Sequence, residues 1–131
     1  MLTNGYQIAN AVTITAGATP ETNLSSELGA IYSEQQIKVL VNEYANKYGV
    51  DANQMLETIR CESVGFKNVQ SGHILKGVRE DSWGIAQINL YWNPEVTKEQ
   101  ALNPDFSVEF MAKKFSQGKY HRWTCWRNIY L

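Results

Sequence analysis

The sequence predicts a mainly α, single-domain fold of about four to six helices with one long irregular loop. Three observations predict it. Apolar residues recur at helical spacing in three separate stretches between Ser33 and Gly118. Each stretch opens on a residue type that caps helix N-termini, and two of them close on glycine. The chain has 131 residues, with 44% hydrophobic and 19% charged, which fits one globular domain.

The elements follow in order. Residues 1–30 carry few charges and many Thr, Ala, Asn and Gly, and read as a tail or linker before a domain spanning 31–131. Within them Val12, Thr13, Ile14 and Thr15 are β-branched but make too short a run to define a strand. Ser33 and Gln36 form a capping box. Ile37, Leu40, Val41, Tyr44 and Tyr48 follow at helical spacing, and Gly49 is a natural stop. Asp51 and Gln54 repeat the cap, with Ala52, Met55, Leu56 and Ile59 as the next stripe. Val64 to Asp81 is rich in Gly, Ser, Asn and Lys and reads as the long loop. Thr97 with Gln100 caps a short helix. Asn103 before Pro104 starts another, with Phe106, Phe110, Met111 and Phe115 on its apolar face and Gly118 at its end.

Composition excludes several classes of function. Twelve basic and thirteen acidic residues give a net charge of -1, without the basic field of a typical nucleic-acid binder. No apolar run approaches the ~20 residues that span a bilayer. Two cysteines, Cys61 and Cys125, are too few for a disulfide-framework miniprotein or a Cys-rich zinc module. His73 and His121 sit in no Cys/His or metal-ligand arrangement, so neither a cysteine nucleophile, a metal nor a cofactor is expected.

Glu62 is the most informative residue. It lies seven after Met55 and three after Ile59, on the side of the apolar stripe and near the end of its helix. A carboxylate placed there is partly desolvated, which disfavours its charge and raises its pKa, as a general acid near neutral pH requires. The alternative is a helix-end glutamate turned into water.

Glu62-Ser63, then Phe66, then Asp81 through Asn89 with Gly84-Ile85-Ala86-Gln87 at its centre, resembles the lysozyme-like superfamily of peptidoglycan-cleaving enzymes. The nearest resemblance is to the soluble lytic transglycosylase (SLT) domain, over Gln36 to Trp126. It implies that Glu62 is the catalytic acid/base and that Ser63 helps to orient it. It implies further that Gly84 lets backbone approach the sugar and that Gln87 hydrogen-bonds near the scissile bond. Read without the resemblance, Ser63 is a helix-end residue, Gly84 a turn glycine and Gln87 a helix cap.

Two departures bear on the reaction. Ser82 stands where animal-type lysozymes carry an aspartate, and Asp81 sits one residue earlier. Hydrolysis needs a second carboxylate. Asp81 is the first candidate for it and Glu80 the second. A transglycosylase needs none, because Glu62 protonates the leaving oxygen and then takes a proton from the sugar's own C6 hydroxyl. Ser82 therefore favours the transglycosylase. The second departure is Phe115-Ser116-Gln117-Gly118, where SLT domains usually have Tyr-Asn-Ala-Gly. Tyr120 is the candidate to replace the missing hydroxyl.

All four tryptophans lie at or after position 83. Aromatic faces stack on sugars, so Trp83 and then Trp123 are expected in a glycan cleft, and at least two of the four in the core. Lys119, His121 and Arg122 form a basic cluster that either contacts anionic substituents of the glycan or is simply solvated. A Cys61–Cys125 bridge would enclose about 63 residues and contribute about 4 kcal/mol; the alternative is two buried thiols. The sequence thus leads to peptidoglycan glycan strands as partner and to cleavage of the β-1,4 MurNAc-GlcNAc bond. The competing readings are a lysozyme-type hydrolase, an inactive glycan-binding module, or a structural component of an envelope or phage assembly. The isolated domain is expected to be a monomer. The glycan lies outside the cytoplasm and no secretory signal is visible. An N-terminal truncation, a non-standard export route, or delivery by a phage or secretion machine is therefore expected.

Overall fold

A computed structural model describes residues 24–131. Val12 to Thr15 and the rest of residues 1–23 lie outside the described residues. Among those described there are five α-helices. They are α1 (Glu34–Tyr48), α2 (Ala52–Glu62), α3 (Lys98–Leu102), α4 (Pro104–Ser116) and α5 (Thr124–Tyr130), with a 3-10 turn at Tyr120–Arg122. Between α2 and α3 lie two short antiparallel hairpins. One pairs β1 (Ile74–Leu75) with β2 (Val78–Arg79), the other β3 (Ser82–Trp83) with β4 (Ile88–Asn89).

The helices begin and end where capping chemistry places them. Ser33 and Gln36 exchange both bonds of a capping box, and so do Thr97 and Gln100. Asp51 accepts from Gln54 N–H and Asn103 from Phe106 N–H. Gly49 closes α1 in the left-handed region at φ 68°. The 3-10 turn and α5 were not foreseen. Trp123, the residue before α5, makes no side-chain cap bond and α5 buries no residue, so neither signal marks it.

The core joins the predicted stripes. Ile37, Leu40 and Val41 of α1, Met55 and Ile59 of α2, and Val108, Met111 and Phe115 of α4 are almost fully buried together with Ile85 and Ile88. Polar bonds tie α1 to α4 at the rim. Tyr44 donates to Asp105 at 2.9 Å, and both Lys47 and Tyr48 reach Glu109.

The folded unit starts before residue 31. Gly29 N–H donates to Asn68 O, and Asn68 N–H returns to Ala30 O. The buried Asn68 side chain donates to the carbonyls of Glu27 and Leu102. Leu24 packs on the core. From Leu24 onward, therefore, the segment expected to be tail belongs to the domain.

Gly84 links the hairpins to the helices. Its φ is 82°, and a Cβ there would lie 1.9 Å from the Ala101 carbonyl oxygen of α3. Backbone packs on backbone, so the approach expected toward a sugar is made instead toward α3. Gly84→Ala combines a left-handed alanine with a backbone clash. It should destabilise the protein by about 3 kcal/mol in urea unfolding.

Candidate active site

α2 ends at Glu62, and the chain then turns sharply. Ser63 donates its hydroxyl to Ile59 O at 2.7 Å and is buried at the helix end. Val64, Gly65 and Phe66 all take positive φ, which returns Phe66 to the core. Ser63 thus closes the helix and makes no bond to the Glu62 carboxylate.

Glu62 opens onto a cavity of about 470 Å³, lined also by Cys61, Ser71, His73, Leu75, Glu80, Ser82, Thr124, Cys125 and Arg127. A second cavity of about 380 Å³ is lined by Ile88, Asn93 and Phe110. The two share Gln87, Asn89, Trp92, Arg122 and Trp123, so they form one extended groove. Each part is of ligand-binding size.

Four influences act on the Glu62 carboxyl. Burial, the largest, pushes its pKa above the ordinary glutamate value. The Cys125 N–H, donated to Oε2 at 3.0 Å, pulls it down. The Glu80 charge raises it and Arg127 lowers it. Burial wins, and the group keeps its proton to higher pH than a solvated glutamate. Cys61 and Cys125 are joined in a disulfide, 64 residues apart in sequence. The bridge holds α5 beside the end of α2 and contributes about 4 kcal/mol by the chain-entropy argument.

The second carboxylate of the groove is Glu80 rather than Asp81. Successive side chains along an extended strand point to opposite faces. Glu80 and Ser82 share one face, and the Ser82 hydroxyl donates to Glu80 Oε2 at 3.0 Å. Asp81 and Trp83 share the other, where Trp83 Nε1–H donates to Asp81 Oδ1 at 2.6 Å. Asn89, directly opposite Ser82 in the hairpin, also donates to Glu80 Oε2, and Ser71 donates to Oε1. Glu80 is thus held in place by three side chains.

The same parity takes Trp83 out of the groove; its ring lies under the Lys98 ammonium of α3. Trp92, largely exposed, stands at the groove with Trp123 instead. Trp123 is also core: it is buried, its Nε1–H donates to Ala86 O at 2.7 Å, and its ring packs edge-on against Phe115. Tyr120 lies outside the groove lining, stacked on Trp126 at 4.9 Å. It does not supply the missing hydroxyl. Gln87 lines the groove at a positive φ of 50°. Its amide group donates to Val69 O and Gly84 O, so only its carbonyl oxygen is left for a ligand.

Of the residues singled out in the sequence, the groove gathers Glu62, Glu80, Ser82, Gln87, Arg122, Trp123, Cys61 and Cys125. Ser63, Asp81, Trp83, Gly84 and Tyr120 lie outside its lining. Sequence reasoning missed Ser71, Asn89 and Arg127. The first two required the hairpin pairing, and the last required α5. Among the described residues no group of His, Cys, Asp and Glu could hold a metal ion, and no helix is long and apolar enough to cross a membrane. Comparison of the chain with models of protein families, with curated proteins and with solved structures finds no match.

The buried acid makes a prediction about stability. A carboxyl whose folded-state pKa is raised stabilises fully below the ordinary value, and that contribution is lost as pH rises through the raised value. Glu62→Gln cannot titrate and can still accept the Cys125 N–H. Its stability relative to the parent should therefore increase from about pH 4 to about pH 7 in urea unfolding. A pH-independent difference would contradict desolvation of Glu62.

Proposed function

We propose that this domain cleaves the β-1,4 bond between N-acetylmuramic acid and N-acetylglucosamine in peptidoglycan, with Glu62 as general acid and then base. One observation carries the reading: a partly desolvated carboxyl with a raised pKa is presented to an extended groove of ligand-binding size. The Glu62-Ser63 and Gly84 to Gln87 segments that resemble the lysozyme-like superfamily supply the substrate class.

Protonated Glu62 donates to the glycosidic oxygen as the C1–O bond breaks, and positive charge develops on the sugar. The resulting Glu62 carboxylate takes the proton of the C6 hydroxyl, whose oxygen closes on C1 to give the 1,6-anhydro product. Trp92 and the edge of Trp123 offer apolar surface to the sugar faces. The envelope or another extracytoplasmic setting is where this substrate lies.

Glu80 favours a second reading, hydrolysis. A fixed carboxylate in the same groove could take a proton from water while Glu62 protonates the leaving group. The two readings differ by one water in the product. On purified peptidoglycan, Glu62→Gln should lower muropeptide release by about 10²–10⁴-fold. Unimpaired release would overturn the assignment, and binding without release by the parent protein would mark a glycan-binding module.

Glu80→Gln separates the two reactions. If the anhydro route operates, mass spectrometry should show 1,6-anhydro ends from both proteins, with release changed by less than about tenfold. Reducing ends in the parent that disappear in Glu80→Gln would assign hydrolysis and make Glu80 its base.

A further inference from the structure

We propose that Cys125 is a positioning residue for Glu62: the Cys61–Cys125 bridge holds the Cys125 backbone N–H against the Glu62 carboxylate, so the aim of this group depends on oxidised cysteines. The consequence for cleavage rests on the glycosidase reading above; the positioning itself does not.

The argument starts from how weakly α5 is otherwise attached. It has seven residues, buries none of them, and has no side-chain cap. Its side-chain hydrogen bonds to α2 are two, Trp126 Nε1–H to Gln54 at 3.2 Å and Tyr130 O–H to Glu57 at 2.6 Å, and Trp126 is its one residue packed, partly buried, against the core. Water replaces such bonds at small net loss. Trp126 also stacks on Tyr120, which belongs to the neighbouring turn and not to α2. The disulfide is the one covalent tie among the described residues.

The bridge joins the two residues that flank the acid. Cys61 is the neighbour of Glu62 in sequence, and Cys125 is its hydrogen-bond donor in space. Thr124, Cys125 and Arg127 of the same helix line the groove. One covalent bond therefore fixes both the acid's donor and a wall of its cavity. The core lies elsewhere. Ile37, Leu40, Met55, Ile59, Met111 and Phe115 are almost fully buried, and of α5 only the partly buried Trp126 packs against that core.

Reduction by dithiothreitol breaks the S–S bond. Two electrons and two protons pass to the sulfurs, giving two thiols, and the reagent closes to its cyclic disulfide. α5 then keeps its two polar ties and the partly buried Trp126, and Glu62 loses the N–H that aims it. Cytosolic thiols are kept reduced, whereas bridges persist in oxidising compartments. Glu62 would thus be aimed only where the bridge can form.

The test uses the full chain labelled with ¹⁵N. In the oxidised protein the Cys125 amide proton shift should follow the titration of Glu62, and in Glu62→Gln it should not. After dithiothreitol the Cys125 amide should stop following Glu62, while the methyl resonances of Met55, Ile59 and Met111 keep their positions. Muropeptide release should fall by about 10²-fold and return on re-oxidation. Cys61→Ala combined with Cys125→Ala should be equally slow with or without the reductant. A Cys125 amide that follows Glu62 as well after reduction as before overturns the proposal. Loss of the core resonances on reduction overturns it too, because the bridge would then serve global stability alone. The expected amide behaviour with no cleavage by either form supports the positioning and sinks the glycosidase reading.

Discussion

The groove is organised around the contact between the Glu62 carboxylate and the Cys125 N–H. It brings the last residue of α2 and the first turn of α5 together, and the disulfide beside it makes the juxtaposition permanent. Opposed influences meet there. Burial and the Glu80 charge hold the proton on, while the N–H bond and Arg127 ease its departure. A group so balanced can give up a proton and still be stabilised as a carboxylate afterwards. Acid/base work in two steps needs both states, and a fully walled-off carboxyl would be confined to one of them.

The hairpin region supplies the facing wall by different physics. The second hairpin sends Ile85, Ala86 and Ile88 into the core. Strand parity sorts the side chains, with Glu80, Ser82 and the cross-strand Asn89 on one face and Asp81 and Trp83 on the other. Backbone contact between Gly84 and Ala101 then seats the hairpin on α3. The result is a carboxylate fixed by side-chain donors at a position that composition alone would assign no more readily than its neighbour. In the reaction we propose, the choice between an internal hydroxyl and a water as the second reactant turns on that residue.

The two halves of the molecule differ in what holds them. α1, α2 and α4 are capped locally and share a buried core, so their assembly draws on burial that many residues contribute. α5 has neither a side-chain cap nor buried residues, and it is held by a cross-link and a few polar and aromatic contacts. Glu62 sits at the seam, its backbone on the well-packed side and its hydrogen-bond donor on the other. The least buried helix is therefore the one best placed to alter the acid without disturbing the core.

The amino-acid sequence by itself determined α1 to α4 and the candidate acid. Caps, stripes and stop signals act within a turn or two of chain, so Ser33, Asp51, Thr97 and Asn103 could be read directly, and Glu62 followed from its register with Met55 and Ile59. The Cys61–Cys125 pairing, the donor to Glu62, the replacement of Asp81 by Glu80 and the exclusion of Trp83 and Tyr120 from the groove were decided only in three dimensions. Each depends on which residues meet across tens of positions, or on a strand pairing only two residues long. Periodicity is a local property, whereas a cavity is lined by whatever distant segments the packing of the core brings together.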